Sequence, residues 1–276
     1  MNRRRRSVLI APASNERMVA TALVSSADEV VLDLEDAVAP DAKAAARDVL
    51  RRMLTTEPGR RTSVRINGLT TRWAAEDLEL CATLGNRVHS IVVPKAETAQ
   101  QIAEISGALV ATDIGVQALI ETPSGLANAR SIAGASARVE SLVLGYADLG
   151  AALGRSPDAG PGLWLTHQDA VLTAARIAGI QAIDGPWLAV ADSSDFREWT
   201  RHVGDLGFDG KWVIHPSQID SVTTAFTPSP DAVAHARRVL DALSRAESDG
   251  TGAVQLDGKM LDEAVAVAAR RVLSRR

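Results

Sequence analysis

Residues 115–148 read GVQALIETPSGLANARSIAGASARVESLVLGYAD. The segment opens with GVQALIE (115–121) and closes with ESLVLGYAD (140–148), two short aliphatic and β-branched runs separated by a helix-length stretch. Each run suits a parallel strand buried on both faces, and each ends in a carboxylate, Glu121 or Asp148, where the chain leaves the core. In α/β folds the C-terminal ends of such strands carry the chemistry. The two acids stand 27 residues apart, one βαβ unit, so neighbouring strand ends present them to a shared hard cation such as Mg²⁺. Either acid alone also reads as a solvated strand-end residue. As a pair they favour a site.

The same alternation continues in both directions. Strands are predicted at 7–13, 29–35, 62–67, 90–95, 115–121, 140–147, 181–184 and 210–215, with helices at 15–25, 41–54, 72–84, 98–105, 124–133, 166–178, 195–206 and 218–225. Pro40 before one helix, and Gly85, Gly179 and Gly207 after others, mark their ends. Eight βα units predict an α/β fold, a (βα)8 TIM barrel spanning 1–227. An open doubly wound sheet is the alternative, but no GxGxxG follows the first strand. Residues 228–276 read as a C-terminal appendage of helix, hairpin and helix. Its parts are an amphipathic helix at 231–247, a polar linker at 248–252, and a hairpin whose Asp257-Gly258 calls for a type I′ turn. A final helix starts near Leu261. The appendage is too small to be expected to hold its own core, so it should pack on the barrel or on a neighbouring subunit.

Composition narrows the function. The chain has 276 residues, 46% of them hydrophobic, with a net charge of −4. Its pI is near 5.8, which argues against a nucleic-acid surface. No apolar run approaches the ~20 residues of a membrane span. A single cysteine, Cys81, excludes an intramolecular disulfide and fits a cytoplasmic address. It lies in AAEDLELCATLG and reads as a buried helix residue, not a nucleophile. The Arg3–Arg6 run before SVLIAPA reads as a frayed basic N-terminus, not as a signal peptide.

A barrel brings all eight strand ends to one mouth. The polar residues expected there include Arg17, Glu35, Asp36, Arg65, Lys95, Glu121, Asp148, Asp184 and His215. One reading is a self-neutralising ion-pair network. The other is a metal site flanked by cations suited to anionic oxygens. The stretches RSVLIAPASNERM, VVLDLEDAVAPDAK, VRING, IVVPKAET, ALIETPSGLANA, LVLGYADLGAALG, GFDGKWVIHPSQI and VQLDGKMLD occur in fixed order over nearly the whole chain. Together they resemble the citrate lyase β-subunit family of the HpcH/HpaI aldolase superfamily, which also holds the malyl-, β-methylmalyl- and citramalyl-CoA lyases.

The resemblance implies a (βα)8 barrel, as a homotrimer or dimer of trimers, and Mg²⁺-dependent (or Mn²⁺-dependent) cleavage or formation of a C–C bond in a 3-hydroxyacyl-CoA thioester. The products would be an acyl-CoA and a 2-keto acid. It also implies that Glu121 and Asp148 are the metal ligands and, with Arg65 and Ala147, contact substrate. Arg65 is implied to hold substrate oxygens. Asp262 in GKMLD is implied to be an acid delivered to a neighbouring subunit's site, the appendage acting as its lid. GYADL departs from the family's commoner Thr-Asn or Pro-Glu before the aspartate, and GRSPDAGPGLWLTH is idiosyncratic. The resemblance therefore leaves the acyl or keto-acid pocket unassigned.

The chemistry asks for these residue types. A chelated Mg²⁺ binds few protein carboxylates and leaves positions for substrate oxygens and water. A thioester enolate needs a fixed cation, and Arg65 offers a permanently charged planar fork. An acid such as Asp262 then exchanges a proton with the enolate carbon. Glu35, Asp36 and Lys95 are assigned to orient Arg65 and the metal's waters. Arg17, Lys43 and His215 are candidate contacts for CoA, with solvated surface roles for the two cations and a structural rim role for His215 as the alternatives. Tyr146 and Trp164 line the acyl pocket or simply pack the core. Two other functions stay open: a β subunit acting on a citryl-acyl-carrier-protein thioester, and a non-catalytic barrel serving assembly.

Overall fold

Eight short parallel strands carry the fold in the computed structural model, which describes residues 4–55, 61–156, 160–248, 250 and 254–275. They are β1 (Ser7–Pro12), β2 (Glu29–Asp33), β3 (Arg61–Arg65), β4 (Ser90–Val93), β5 (Gly115–Ile120), β6 (Val139–Leu144), β7 (Gln181–Asp184) and β8 (Gly210–Val213). Each pairs in parallel with the next, and β8 returns to β1 through Ser7↔Lys211, Val8↔Trp212 and Leu9↔Val213, which closes the barrel. The predicted (βα)8 barrel is therefore the observed one. By contact density the chain divides into two units, 1–223 and 224–276.

Alternation along each strand fills the interior in layers. In the middle lie Val8, Val31, Val92, Leu119, Val143, Ile183 and Trp212, all buried against one another. Two residues earlier on several strands stands a polar base: Glu29, Ser63, Ser90, Gln117, Ser141 and Gln181. The Glu29 carboxylate accepts from Arg5 Nε at 2.6 Å, Ser63 Oγ at 2.8 Å and Gln117 Nε2 at 2.5 Å. Arg5 also donates to Gln181 Oε1 at 2.7 Å and pairs with Glu140. The expectation of a frayed basic N-terminus is thus corrected at Arg5, which is 0% exposed and plugs the barrel floor. Arg3 lies outside the described residues. Outward-facing Val30, Leu32, Ile91, Leu142 and Ala182 are equally buried beneath the helices, so the strands read as continuous apolar runs.

β7 has the predicted bounds, and the other seven strands end earlier than predicted. After Leu144 the chain does not run on to Ala147; it turns at Gly145 into a short helix, Tyr146–Ala152, that periodicity did not reveal. The predicted helix at 124–133 is two helices, Pro123–Ala127 and Ala129–Ala133, meeting at Asn128. Cys81 is buried in the helix Ala74–Leu84, as expected.

The second unit contains a long helix, Pro230–Ser248, a hairpin of β9 (Val254–Leu256) and β10 (Lys259–Leu261), and a last helix, Glu263–Ser274. Asp257 and Gly258 both adopt positive φ, 51° and 78°, as a type I′ turn requires. Of the linker at 248–252, residues 249, 251 and 252 lie outside the described residues. Contrary to expectation, this unit has a small core of its own, built on buried Ala236, Val239, Leu261 and Ala269 with Leu240 and Val265 packed against them. Among the described residues no helix is long and apolar enough to cross a membrane.

The floor plug makes a stability prediction. Arg5→Met strands the buried Glu29 charge and should lower the free energy of unfolding by about 3–5 kcal/mol, read from urea denaturation. Adding Glu29→Gln removes the stranded charge and should recover part of the loss.

Candidate active site

Above the apolar layer, alternation turns Asp33, Arg65 and Glu121 toward the mouth. Asp33 is fully buried and grips Arg65 with two parallel bonds, Nε to Oδ1 and Nη2 to Oδ2, both 2.6 Å. Asp33 also accepts from the backbone of Glu35 at 2.9 Å and of Ala37 at 3.1 Å, so one carboxylate fixes both the arginine and the loop after β2. Arg65 Nη1 lies 3.0 Å from Glu35 Oε2 as an ion pair, although that oxygen accepts no directed hydrogen bond. Burial opposes the Arg65 charge, but Asp33 and Glu35 more than offset it and raise its pKa further, so it is permanently cationic. A guanidinium has five N–H donors, and those not held by Asp33 remain on Nη1 and Nη2.

Glu121 follows β5 and is 3% exposed, and its Oε1 accepts from the Lys95 backbone N–H at 2.9 Å. Gly145 makes room for it: a Cβ there would stand 2.7 Å from Glu121 Cβ and 2.9 Å from its Oε2. Asp148 sits in the first turn of the helix Tyr146–Ala152, not on a strand end, and its side chain is 41% exposed. Lys95 adopts a left-handed backbone, φ 48°, and sends its ammonium among four carboxylates. The Nζ is 2.6 Å from Glu35, 3.6 Å from Asp36, 3.8 Å from Glu121 and 4.0 Å from Asp148. The structure therefore brings Glu35, Asp36, Arg65, Lys95, Glu121 and Asp148 together at one mouth.

These residues fit a hard divalent cation. The mouth assembles five carboxylates, counting Asp33, around the cations Arg65 and Lys95, which leaves negative charge in excess. The candidate ligands at this mouth, Glu121 and Asp148, are carboxylates and offer only oxygen; among the described residues no group of three or more His, Cys, Asp or Glu side chains closes on a metal position. That suits Mg²⁺, which keeps waters and substrate oxygens in its shell. A cavity of about 520 Å³ opens beside Glu35, Asp36 and Lys95, walled by the loops after β2, β3 and β4, including Asn67 and Trp73.

Of the candidate CoA contacts, Arg17 is exposed on the helix Glu16–Leu23 and His215 is exposed after β8, its Nδ1 bonded to Ser217; Ala147, a candidate substrate contact, is exposed beside Asp148. Lys43 is corrected: it is not a surface cation. It is buried, and its ammonium donates to the carbonyls of Leu34 at 2.8 Å and Glu35 at 2.7 Å, which fixes the β2 loop. Sequence reasoning gave no role to Asp33. Its signal was the alternation Glu29, Val31, Asp33, Glu35, which faces all four inward.

The comparisons with known proteins agree with this geometry. The HpcH/HpaI aldolase/citrate lyase family model matches residues 6–216, and the chain belongs to that family. It is 36% identical to a (3S)-malyl-CoA thioesterase of Cereibacter sphaeroides (strain ATCC 17025), over 98% of this chain and 94% of that protein. It is 34% identical to an L-malyl-CoA/beta-methylmalyl-CoA lyase of the same strain, over 93% and 90%. The crystal structure of CitE from Mycobacterium tuberculosis with magnesium, acetoacetate and coenzyme A superposes with a TM-score of 0.81. Identity is 35%, covering 98% of this chain and 97% of that one.

The crowding of acids has a measurable effect on pH dependence. Burial, then repulsion from Glu35 and Asp148, pushes the Glu121 carboxyl up to about 7, with Lys95 partly opposing. A carboxyl raised above its unfolded value favours the fold less as pH rises through that interval, and a bound cation reverses this. Mg²⁺ uptake near pH 7 should therefore expel protons, and apparent affinity should weaken by about tenfold per pH unit well below 7. Calorimetry in buffers of different ionisation enthalpy reads both effects, and a pH-independent affinity between pH 5 and 8 contradicts the assignment.

Proposed function

We propose that the protein is a Mg²⁺-dependent carbon–carbon lyase that cleaves or forms a 3-hydroxyacyl-CoA thioester of the malyl-, β-methylmalyl- or citramalyl-CoA class. The fragments are an acyl-CoA and a 2-keto acid. The observation that carries this is the convergence of Glu121 and Asp148 with a rigidly held Arg65 at one barrel mouth. A Mg²⁺ held by the two carboxylates would supply positive charge for the oxygens of the hydroxy-acid portion. In cleavage, the bond between the hydroxyl-bearing carbon and the thioester α-carbon breaks. The hydroxyl passes its proton to a carboxylate at the mouth, its oxygen becomes the carbonyl of the 2-keto acid, and the electron pair of the broken bond passes to the thioester oxygen as an enolate.

Arg65 is suited to hold that oxygen, because Asp33 fixes its plane and leaves donors free. Glu35 and Lys95 keep the arginine and the carboxylates in register. The enolate carbon then gains a proton, and Asp262 is the acid we assign to it, acting in a neighbouring subunit of a homo-oligomer. Asp262 is exposed and caps the helix Glu263–Ser274, accepting from Val265 N at 3.0 Å.

The test is to incubate purified protein with malyl-CoA or citramalyl-CoA and Mg²⁺ and to identify products. Acyl-CoA plus keto acid, abolished by chelator, is the expected outcome. Free CoA plus hydroxy acid makes it a thioesterase, and turnover only of a citryl-acyl-carrier-protein makes it a lyase subunit. Arg65→Lys should lower kcat by roughly 10²-fold or more, because one ammonium cannot replace the fork. A near-normal lysine variant would make Arg65 a structural ion-pair partner.

Trans delivery has its own test. Asp262→Asn and Glu121→Ala should each be inactive, and subunit exchange between them should restore activity by creating some intact sites. Full exchange without recovery refutes delivery from a neighbour.

A further inference from the structure

We infer that Tyr146 is a positioning residue for Asp148, anchoring the start of its helix from outside the barrel through Asp184 and Lys211. The inference rests on the reading of Glu121 and Asp148 as metal carboxylates. Among the described residues no hydrogen bond holds the Asp148 carboxylate; its nearest cation is Lys95 at 4.0 Å. Its position depends on a helix of seven residues that begins at Tyr146, without a side-chain cap at Gly145.

Tyr146, two residues earlier, is held on every side. Its hydroxyl donates to Asp184 and accepts from Gln168 Nε2 at 2.9 Å. Its ring meets Trp164 edge-on at 4.9 Å and Trp199 at 5.6 Å. Asp184 and Lys211 are both fully buried, with Lys211 Nζ 2.5 Å from Asp184 Oδ2 and 2.6 Å from the Gly185 carbonyl. Trp199 Nε1 donates to the same Asp184 oxygen at 3.2 Å.

This cluster lies on the outer side of the barrel wall. Ile183 and Trp212 face inward, so their neighbours Asp184 and Lys211 face outward, where Gln168 of the helix Leu165–Ala178 meets Tyr146 and Trp199 of the helix Ser194–Leu206 meets Asp184 and Tyr146. Two rigid strands, β7 and β8, therefore hold the phenol, and the phenol holds the turn that aims Asp148 inward. A charge-assisted network shielded from water is short and stiff. Groups bonded directly to a metal ligand tune affinity by about 10–100-fold, and an anchor that acts one step removed, through the turn, belongs at the lower end of that range.

The experiment is a Mn²⁺ titration of the full chain followed by electron paramagnetic resonance, without substrate, on the wild type, Tyr146→Phe and Asp148→Ala. Phenylalanine keeps the ring packing and removes only the hydroxyl. Tyr146→Phe should weaken Mn²⁺ binding about tenfold with little change in Tm. It should raise the Mg²⁺ concentration for half-maximal rate by the same factor, with the rate recovering at saturating Mg²⁺. Gln168→Met, which removes only the bond the phenol accepts, should move affinity in the same direction by less. If Asp148→Ala loses Mn²⁺ while both other variants keep wild-type affinity, the positioning role is overturned and the metal site stands. A lowered Tm with unchanged affinity overturns it as well, leaving Tyr146 a packing residue. If Asp148→Ala binds Mn²⁺ like the wild type, the site assignment falls and takes this inference with it.

Discussion

A parallel strand in a closed barrel turns every second side chain inward, and that constraint distributes the chemistry of this molecule. On β2 it reads Glu29, Val31, Asp33 and then Glu35; on β5, Gln117, Leu119 and then Glu121. These two strands each contribute a polar residue to the floor, an apolar one to the middle and ionisable ones to the mouth. The apolar layer separates two charged assemblies that have different tasks. Below it, Arg5, Glu29 and Glu140 pair internally, with the serines and glutamines meeting the remaining hydrogen-bond needs. Above it, charge is left unbalanced.

That imbalance distinguishes a site from a structural network. A buried ion pair satisfies itself at best, and its members gain nothing from being left in excess. At the mouth only Arg65 and Asp33 form a closed, two-bonded pair. Around them Glu35, Asp36, Glu121 and Asp148 share the single ammonium of Lys95, and Glu121 is driven toward its neutral form by burial and by its neighbours. Lys43 lends its charge to two carbonyls of the adjoining loop and holds them in place.

Much of this was legible in the amino-acid sequence. Buried strands are marked by uninterrupted aliphatic runs, and residues at the ends of those runs are fixed in space by the fold, so pattern placed Glu121 and Arg65 at the mouth, while the part assigned to Arg65 came from the family resemblance. Residues whose meaning depends on register were not. LDLED offers three acids in four positions, and only the pairing Asp33↔Arg65 shows which one grips the arginine. Arg5 belongs to a basic run that reads as surface; its burial depends on Gln181, 176 residues away, and on Glu140, 135 residues away. Lys43 sits on a helix that looks solvent-facing until the loop before it folds back over the ammonium. The helix Tyr146–Ala152 is too short for any periodicity to announce it.

The plugged floor gives the barrel only one opening. With Arg5, Glu29, Ser63, Ser90, Gln117 and Ser141 fully buried beneath an apolar layer to which seven of the eight strands contribute, the axis is filled. Whatever reaches the mouth carboxylates enters and departs along the same path. When one molecule is split there into two, the closed floor offers neither fragment a back door, so both share the entrance with the substrate that replaces them.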